Sequence, residues 1–373
     1  MEALQPFRRI LSNRHEAARQ WKSRGGGVVG WTCTYTPEEV IYASGALPVM
    51  VCGSLGETNL ADAYMPSNSC SFARSCFNAA LRGEFDYLDA FVESTSCDNR
   101  EKTFDMWVNY SKVPNLYLIN MPHTNTESAH QFYYQQVVKF KEWLEQVLKS
   151  QISEDSLKEA VAVYNENRNL LRQIYDLKMK KPPLLSGTEY LEIALSGLVM
   201  PKTEHNQLMK ALLSEVESRA DMPREGLRLM VSGSVMDNTE LVRLIESVGG
   251  TVVADDWCTG SRYFWNDVEM GNGDPLKAIA RRYLDKVPSS FMYMREQRFK
   301  HVAELAKRFD VDGVIMFLIK YCDTHMFDAP YLRDELKAMG LPVLYLEWEH
   351  SMSGFASLKT RIEAFVEMVG GVQ

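Results

Sequence analysis

The chain has 373 residues, 46% hydrophobic and 24% charged, with 41 Lys and Arg against 49 Asp and Glu for a net charge of −8. At ~100 to 200 residues per domain, this length implies two or three compact units whose cores need no covalent staples. The composition excludes a disordered or collagenous chain, and the acidic balance argues against a nucleic-acid-binding surface.

In chain order, Ala3 to Lys22 reads as a leading helix. The first eleven residues include Arg8 and Arg9 but no apolar stretch that could form a signal-peptide core. The longest apolar runs, such as Val314 to Ile319, are far shorter than the ~20 residues of a membrane helix. The expected location is therefore the cytoplasm, with no membrane partner. Gly25-Gly26-Gly27 then opens a strand, Val28 to Trp31, and Thr36-Pro37-Glu38-Glu39 carries the residues of a capping box at a helix start. That helix should end near Ser44-Gly45, and Pro48 to Cys52 is the next strand. A loop enters a further helix at Ser69 to Cys76, and strands follow at Ala90 to Glu93 and Leu116 to Asn120.

Glu127 to Ala220 is rich in helix formers and poor in strand signals, with Pro182-Pro183 and Pro201 as punctuation. Beyond it a second strand-helix-strand unit runs from Leu227 to Ala254, with Asp237-Asn238-Thr239-Glu240 repeating the capping pattern and Gly249-Gly250 ending the helix. An offset of 201 residues lays Thr36 on Asp237 and Glu39 on Glu240. Capping boxes are common, so duplication and coincidence both stay open. A third unit places a strand at Asp312 to Ile319, a helix at Ala329 to Met339 and a strand at Leu341 to Glu347, before a closing helix from Thr360 to Val369. The expected fold class is α/β, with parallel-sheet domains at 1–126 and 223–373 and a helical region at 127–222.

Seven cysteines, an odd number in a chain of this length, point to thiols or metal ligands ahead of disulfides. Cys33, Cys97, Cys258 and Cys322 each follow a predicted strand, at the sheet edge where α/β proteins bind ligands. Cys70 and Cys76 lie where a loop enters a helix, and Cys52 at a strand end reads as buried. The competing reading is cysteine as a small buried hydrophobe, since no C-x-x-C, ferredoxin or zinc-finger spacing is present. Polar company, Asp98 and Asn99 after Cys97 and Asp323 to His325 after Cys322, favours a site. Ser232-Gly233-Ser234 could hold phosphate, yet no nucleotide fingerprint or nucleophile elbow occurs. No motif fixes a catalytic acid or base, and Glu57, His123 and Glu349 are candidates by location alone.

Around these cysteines the chain resembles the 2-hydroxyacyl-CoA dehydratase and benzoyl-CoA reductase family. The likeness rests on Gly30-Trp31-Thr32-Cys33-Thr34-Tyr35-Thr36-Pro37-Glu38-Glu39, Asn68-Ser69-Cys70-Ser71-Phe72-Ala73-Arg74-Ser75, Ser96-Cys97-Asp98, Tyr164-Asn165-Glu166-Asn167-Arg168, Asp255-Asp256-Trp257-Cys258-Thr259-Gly260-Ser261-Arg262, Lys320-Tyr321-Cys322-Asp323 and Thr360-Arg361-Ile362-Glu363-Ala364-Phe365. The resemblance implies two flavodoxin-like domains with a 4Fe-4S cluster between them, held by Cys70, Cys97 and Cys322. Three thiolates leave one iron with an open position. It further implies a homologous second subunit, an ATP-hydrolysing iron-sulfur activator protein that supplies one electron, and an acyl-CoA substrate. In the dehydratases a ketyl radical expels the 2-hydroxyl and the electron is returned; in the reductases the same push dearomatises a ring.

Two further roles follow from the same resemblance. The chain is either the catalytic subunit or an electron relay to its mate. In double-cubane relatives, six cysteines of one chain hold two joined cubanes. Cys33 and Cys258 would then be ligands too, but Val287 to Met292, where the sixth is expected, has Ser289 and Ser290 and no cysteine.

Overall fold

A computed structural model describes residues 1–221, 223, 225–271, 273–350 and 354–371. Eight short apolar runs form its strands: β1 Val28–Trp31, β2 Leu47–Met50, β3 Ala90–Ser94, β4 Leu116–Ile119, β5 Leu227–Gly233, β6 Gly250–Asp256, β7 Gly313–Ile319 and β8 Val343–Trp348. They make two four-stranded parallel sheets, ordered β2-β1-β3-β4 and β6-β5-β7-β8. Register is set by apolar pairs such as Val28 with Leu47 and Phe317 with Leu346. All seven residues of β7 are buried, as expected of an inner parallel strand covered on both faces.

The two orders are the same, and they match the first four strands of the flavodoxin arrangement. In that arrangement the connections leaving the first and third strands turn to opposite faces, so a crevice opens at the carboxyl ends of those strands. Each sheet has such a point, between β1 and β3 and between β5 and β7. Between the two sets of strands lie the helices Glu127–Leu148, Glu154–Asp176, Gly187–Ser196 and Lys202–Glu215. Thr126, Ser153 and Ser186 cap the first three with their side chains, Ser186 in a full capping box with Glu189. No helix among the described residues is long and apolar enough to cross a membrane.

Three sequence expectations are corrected. The leading helix is two, Gln5–Ser12 and Glu16–Ser23. The first packs on Gly187–Ser196 and the second on β1 and β2, and His15 in the break meets the Tyr87 hydroxyl at 3.0 Å. Neither Thr36 nor Asp237 caps its helix, because the helices start later, with Pro37 and Thr239 at the N-cap positions, and the acidic groups of the expected boxes are claimed from afar. Glu39 accepts from Arg168 and Tyr283, and Asp237 faces His350 at 3.1 Å. Finally, the helix expected from Ala329 begins at Asp323 and runs through Pro330 to Ala338, with Cys322 at its N-cap.

Candidate metal centre

The loops leaving β1, β3, β5, β6 and β7 converge with the start of the helix Ser71–Leu81 and with Ser289–Phe291. Between them is a cavity of about 70 Å³, lined by Cys33, Cys70, Cys97, Cys258 and Cys322. Phe72, Phe291 and Ile319 supply apolar wall. Cys52 and Cys76 are buried but do not line it. The sheet-edge rule thus brings together all four post-strand cysteines and Cys70.

Three of the five share one local geometry. Cys70, Cys97 and Cys322 are the N-caps of the helices Ser71–Leu81, Asp98–Tyr110 and Asp323–Ala338. None of the three sulfurs makes a side-chain capping hydrogen bond, but each lies at the helix start where first-turn amides oppose the upward push on its thiol. The positive end of a helix favours a thiolate there. Burial is nevertheless the larger influence, and it raises all three thiols, Cys322 to about 12. A bound metal reverses that balance by displacing the protons.

Asn99 ties the three segments together. Its Oδ1 accepts from the Cys70 amide at 2.9 Å, and its Nδ2 donates to the Tyr321 carbonyl at 3.2 Å. Tyr321, directly before Cys322, is held at φ +63°, a conformation that non-glycine residues adopt only when their surroundings impose it.

The other two cysteines are held by side chains. Cys33 lies 3.4 Å from the Ser96 hydroxyl. Cys258 receives Arg262 Nη2 at 3.2 Å and stands 3.8 Å from Ser289 Oγ. Burial would raise the Cys258 thiol, but the Arg262 guanidinium outweighs it and holds the group below its ordinary range. Lys286, itself buried, donates to the Thr34 carbonyl at 2.7 Å and sits 4.1 Å over the Tyr35 ring. Burial holds its ammonium well below the usual lysine range. Arg100 is bound to Glu93 at 3.2 Å and lies over Phe72. Sequence reasoning missed these cations. A signal existed for three basic side chains, since Arg100 and His325 stand three residues after Cys97 and Cys322, and Arg262 four after Cys258. Lys286 left no comparable trace.

The three acid-base candidates are elsewhere. His123 bonds the Thr95 carbonyl, Glu349 pairs with Lys320 at 3.0 Å and Glu57 is exposed; none lines the cavity. Ser232-Gly233-Ser234 does reach the site. Only glycine fits at 233, where a Cβ would come within 1.9 Å of the Phe317 carbonyl oxygen. Ser232 is committed to Asp256, while Ser234 lines the cavity beside the Cys322 thiol.

A family model described as 2-hydroxyglutaryl-CoA dehydratase, D-component, matches residues 33–369. The chain belongs to that family. Similar proteins include the (R)-phenyllactyl-CoA dehydratase beta subunit of Clostridium sporogenes, 27% identical over 97% of both chains. The beta subunit of lactoyl-CoA dehydratase from Anaerotignum propionicum is 27% identical over 98% of both. A benzoyl-CoA reductase subunit from Thauera aromatica is 25% identical over 95% of this chain and 94% of its own. Members of the family generally carry iron-sulfur clusters.

Among the described residues, no three His, Cys, Asp or Glu side chains form a site for a single metal ion. A cubane makes a different demand, because its ligands bind different irons and stand apart. The donor set fits such a group in its chemistry: five thiols, three of them at helix N-termini, with cations nearby around one cavity.

Proposed function

We propose that this chain is the iron-sulfur subunit of a 2-hydroxyacyl-CoA dehydratase and that Cys70, Cys97 and Cys322 hold its 4Fe-4S cluster. The observation behind this reading is that these three cysteines, far apart in sequence, each stand at the N-cap position of a helix and line the same cavity. When bound, the cluster supplies one-electron chemistry and one iron not saturated by protein sulfur. The chain's own residues do the rest. Asn99 spaces the three segments, Phe72, Phe291 and Ile319 limit water, and Arg100 and Arg262 keep positive charge close to the sulfurs. The substrate class is a 2-hydroxyacyl-CoA, by analogy with the phenyllactyl-CoA and lactoyl-CoA relatives. The partners are a homologous second subunit and an ATP-hydrolysing iron-sulfur activator. Tyr293 and Phe327, 82% and 80% exposed, support a protein partner, because Phe327 is one turn beyond the cavity-lining Thr324. The domains we assign are 1–126, 127–222 and 223–373.

A second reading is favoured by the number of cysteines on the cavity wall. Cys33 and Cys258 line it together with Cys70, Cys97 and Cys322, and Cys258 and Cys322 act on one another electrostatically. Ser289 touches Cys258 in the region where a double-cubane relative would have its sixth cysteine. Such a chain would hold a larger cluster, or relay electrons to its mate.

The test is anaerobic co-expression with a neighbouring subunit and activator, followed by iron and acid-labile sulfide analysis. Turnover is then measured on hydroxyacyl-CoA and on benzoyl-CoA. Water elimination from the former supports the dehydratase, and ring reduction alone would replace it with the reductase. Iron near twice that of one cubane in this chain alone, after its separation from the second subunit, supports the larger cluster. Colourless, sulfide-free protein rejects every cluster reading.

A further inference from the structure

We infer that Arg262 is a positioning residue for the metal centre: one guanidinium fixes the Cys258 sulfur to the turn that follows Cys322 and keeps a positive charge behind both. The inference rests on the reading of the cavity as a cluster site.

Arg262 is 2% exposed, and its donors are spread over three strand ends. Nη1 donates to the Asp256 carbonyl at 2.9 Å and to its carboxylate at 2.6 Å, at the end of β6. Nη2 donates to the Gly233 carbonyl at 2.8 Å, at the end of β5, and to Cys258 Sγ at 3.2 Å. The same nitrogen is 3.4 Å from His325 Nε2, in the first turn of the helix capped by Cys322. The glycine at 233 is part of the device, since a side chain there would collide with β7. Arg262 therefore registers the loops of β5, β6 and β7 against each other at the cavity wall.

The charge is not cancelled locally in a simple pair. Asp256 also accepts from Arg298 at 2.7 Å, so one carboxylate serves two guanidiniums. Arg298 has a second carboxylate in Asp328, whereas Arg262 divides its Nη2 between the Gly233 carbonyl and sulfur. Positive charge beside the cavity stabilises the more negative, reduced state of an iron-sulfur group, and where Cys258 is itself a ligand its hydrogen bond acts in the same direction. A lysine cannot reproduce this arrangement, because it has no planar fork to reach Gly233, Asp256 and Cys258 at once.

The experiment uses the full chain, prepared anaerobically, with Arg262→Gln and Arg262→Lys beside the unaltered protein. Iron content, thermal unfolding and the cluster midpoint potential are measured, the last by dithionite titration followed by electron paramagnetic resonance. Arg262→Gln is expected to shift the midpoint to lower potential, and Arg262→Lys to shift it the same way by less. A folded, iron-loaded Arg262→Gln with an unchanged midpoint overturns the inference. Should Arg262→Gln fail to fold, Arg262→Lys decides on the same criterion. Absence of iron from the unaltered chain defeats the underlying reading as well, so the two failures are distinct.

Discussion

Two parts of this molecule bury many polar groups, and they do so in opposite ways. At the junction of the helical region with the first sheet, Glu38 and Glu39 are matched group for group. Glu39 accepts from Arg168 and from Tyr283 at 2.8 Å; Glu38 accepts from Tyr263 at 2.7 Å and lies 3.9 Å from Lys202. At the cavity, five sulfurs share one space with helix amides and with Arg262, and Lys286 nearby is bonded to Thr34. A polar core that closes on itself holds a fold together. One that directs its sulfurs and amide donors into a common space is built for a guest.

That contrast can be broken from either side, and the largest effects belong to the cavity. Cys70→Ala, Cys97→Ala or Cys322→Ala should each abolish stable iron binding in anaerobically purified protein, measured as iron and sulfide per chain. Full retention in all three would remove the distinction drawn above. At the junction, Arg168→Met leaves Glu39 buried without its partner. It should cost about 3–5 kcal/mol in urea unfolding while leaving the sulfurs in place, so iron content should persist in the folded fraction. The junction also has a pH signature. Burial pushes Glu39 up, but Arg168 and Arg282 outweigh it and hold the carboxyl below its ordinary range. Stability from this group is thus complete above the unfolded carboxylate range and is lost as pH falls through the depressed folded value. Arg168→Met should flatten that acid slope, read from urea midpoints across pH.

Smaller effects sharpen the comparison within the cavity. Asn99→Ala should cost about 1 kcal/mol by removing the acceptor of the half-buried Cys70 amide, and should speed iron release to a chelator. Asn99→Asp, which keeps that acceptor, should fall between. Least of all, Cys52→Ala should retain iron fully, since Cys52 lies off the cavity wall and burial raises its thiol to about 12.

Much of the fold was legible because strands and their ends have local signatures. The runs at Val28, Leu227 and Gly313 announce themselves by apolar content, and cysteines just beyond them mark the binding edge. What was misread depended on distant partners. Thr36 to Glu39 has the composition of a capping box, but Glu39 is taken by Arg168, 129 residues away. Pro330 made Ala329 look like a helix start, whereas the chain was already helical from Asp323. At the site, the five thiols could be nominated from position, but the Asn99 bridge and the Arg262 fork join segments that sequence order keeps apart.

The placement of Cys322 has a consequence for how the protein is made. Cys70 and Cys97 emerge from the ribosome early, while the third N-cap cysteine follows a strand of the second sheet, 225 residues after Cys97. On the proposed ligand set, a nascent chain that has not yet made the strand Gly313–Ile319 cannot be filled, so loading would follow the folding of the second sheet.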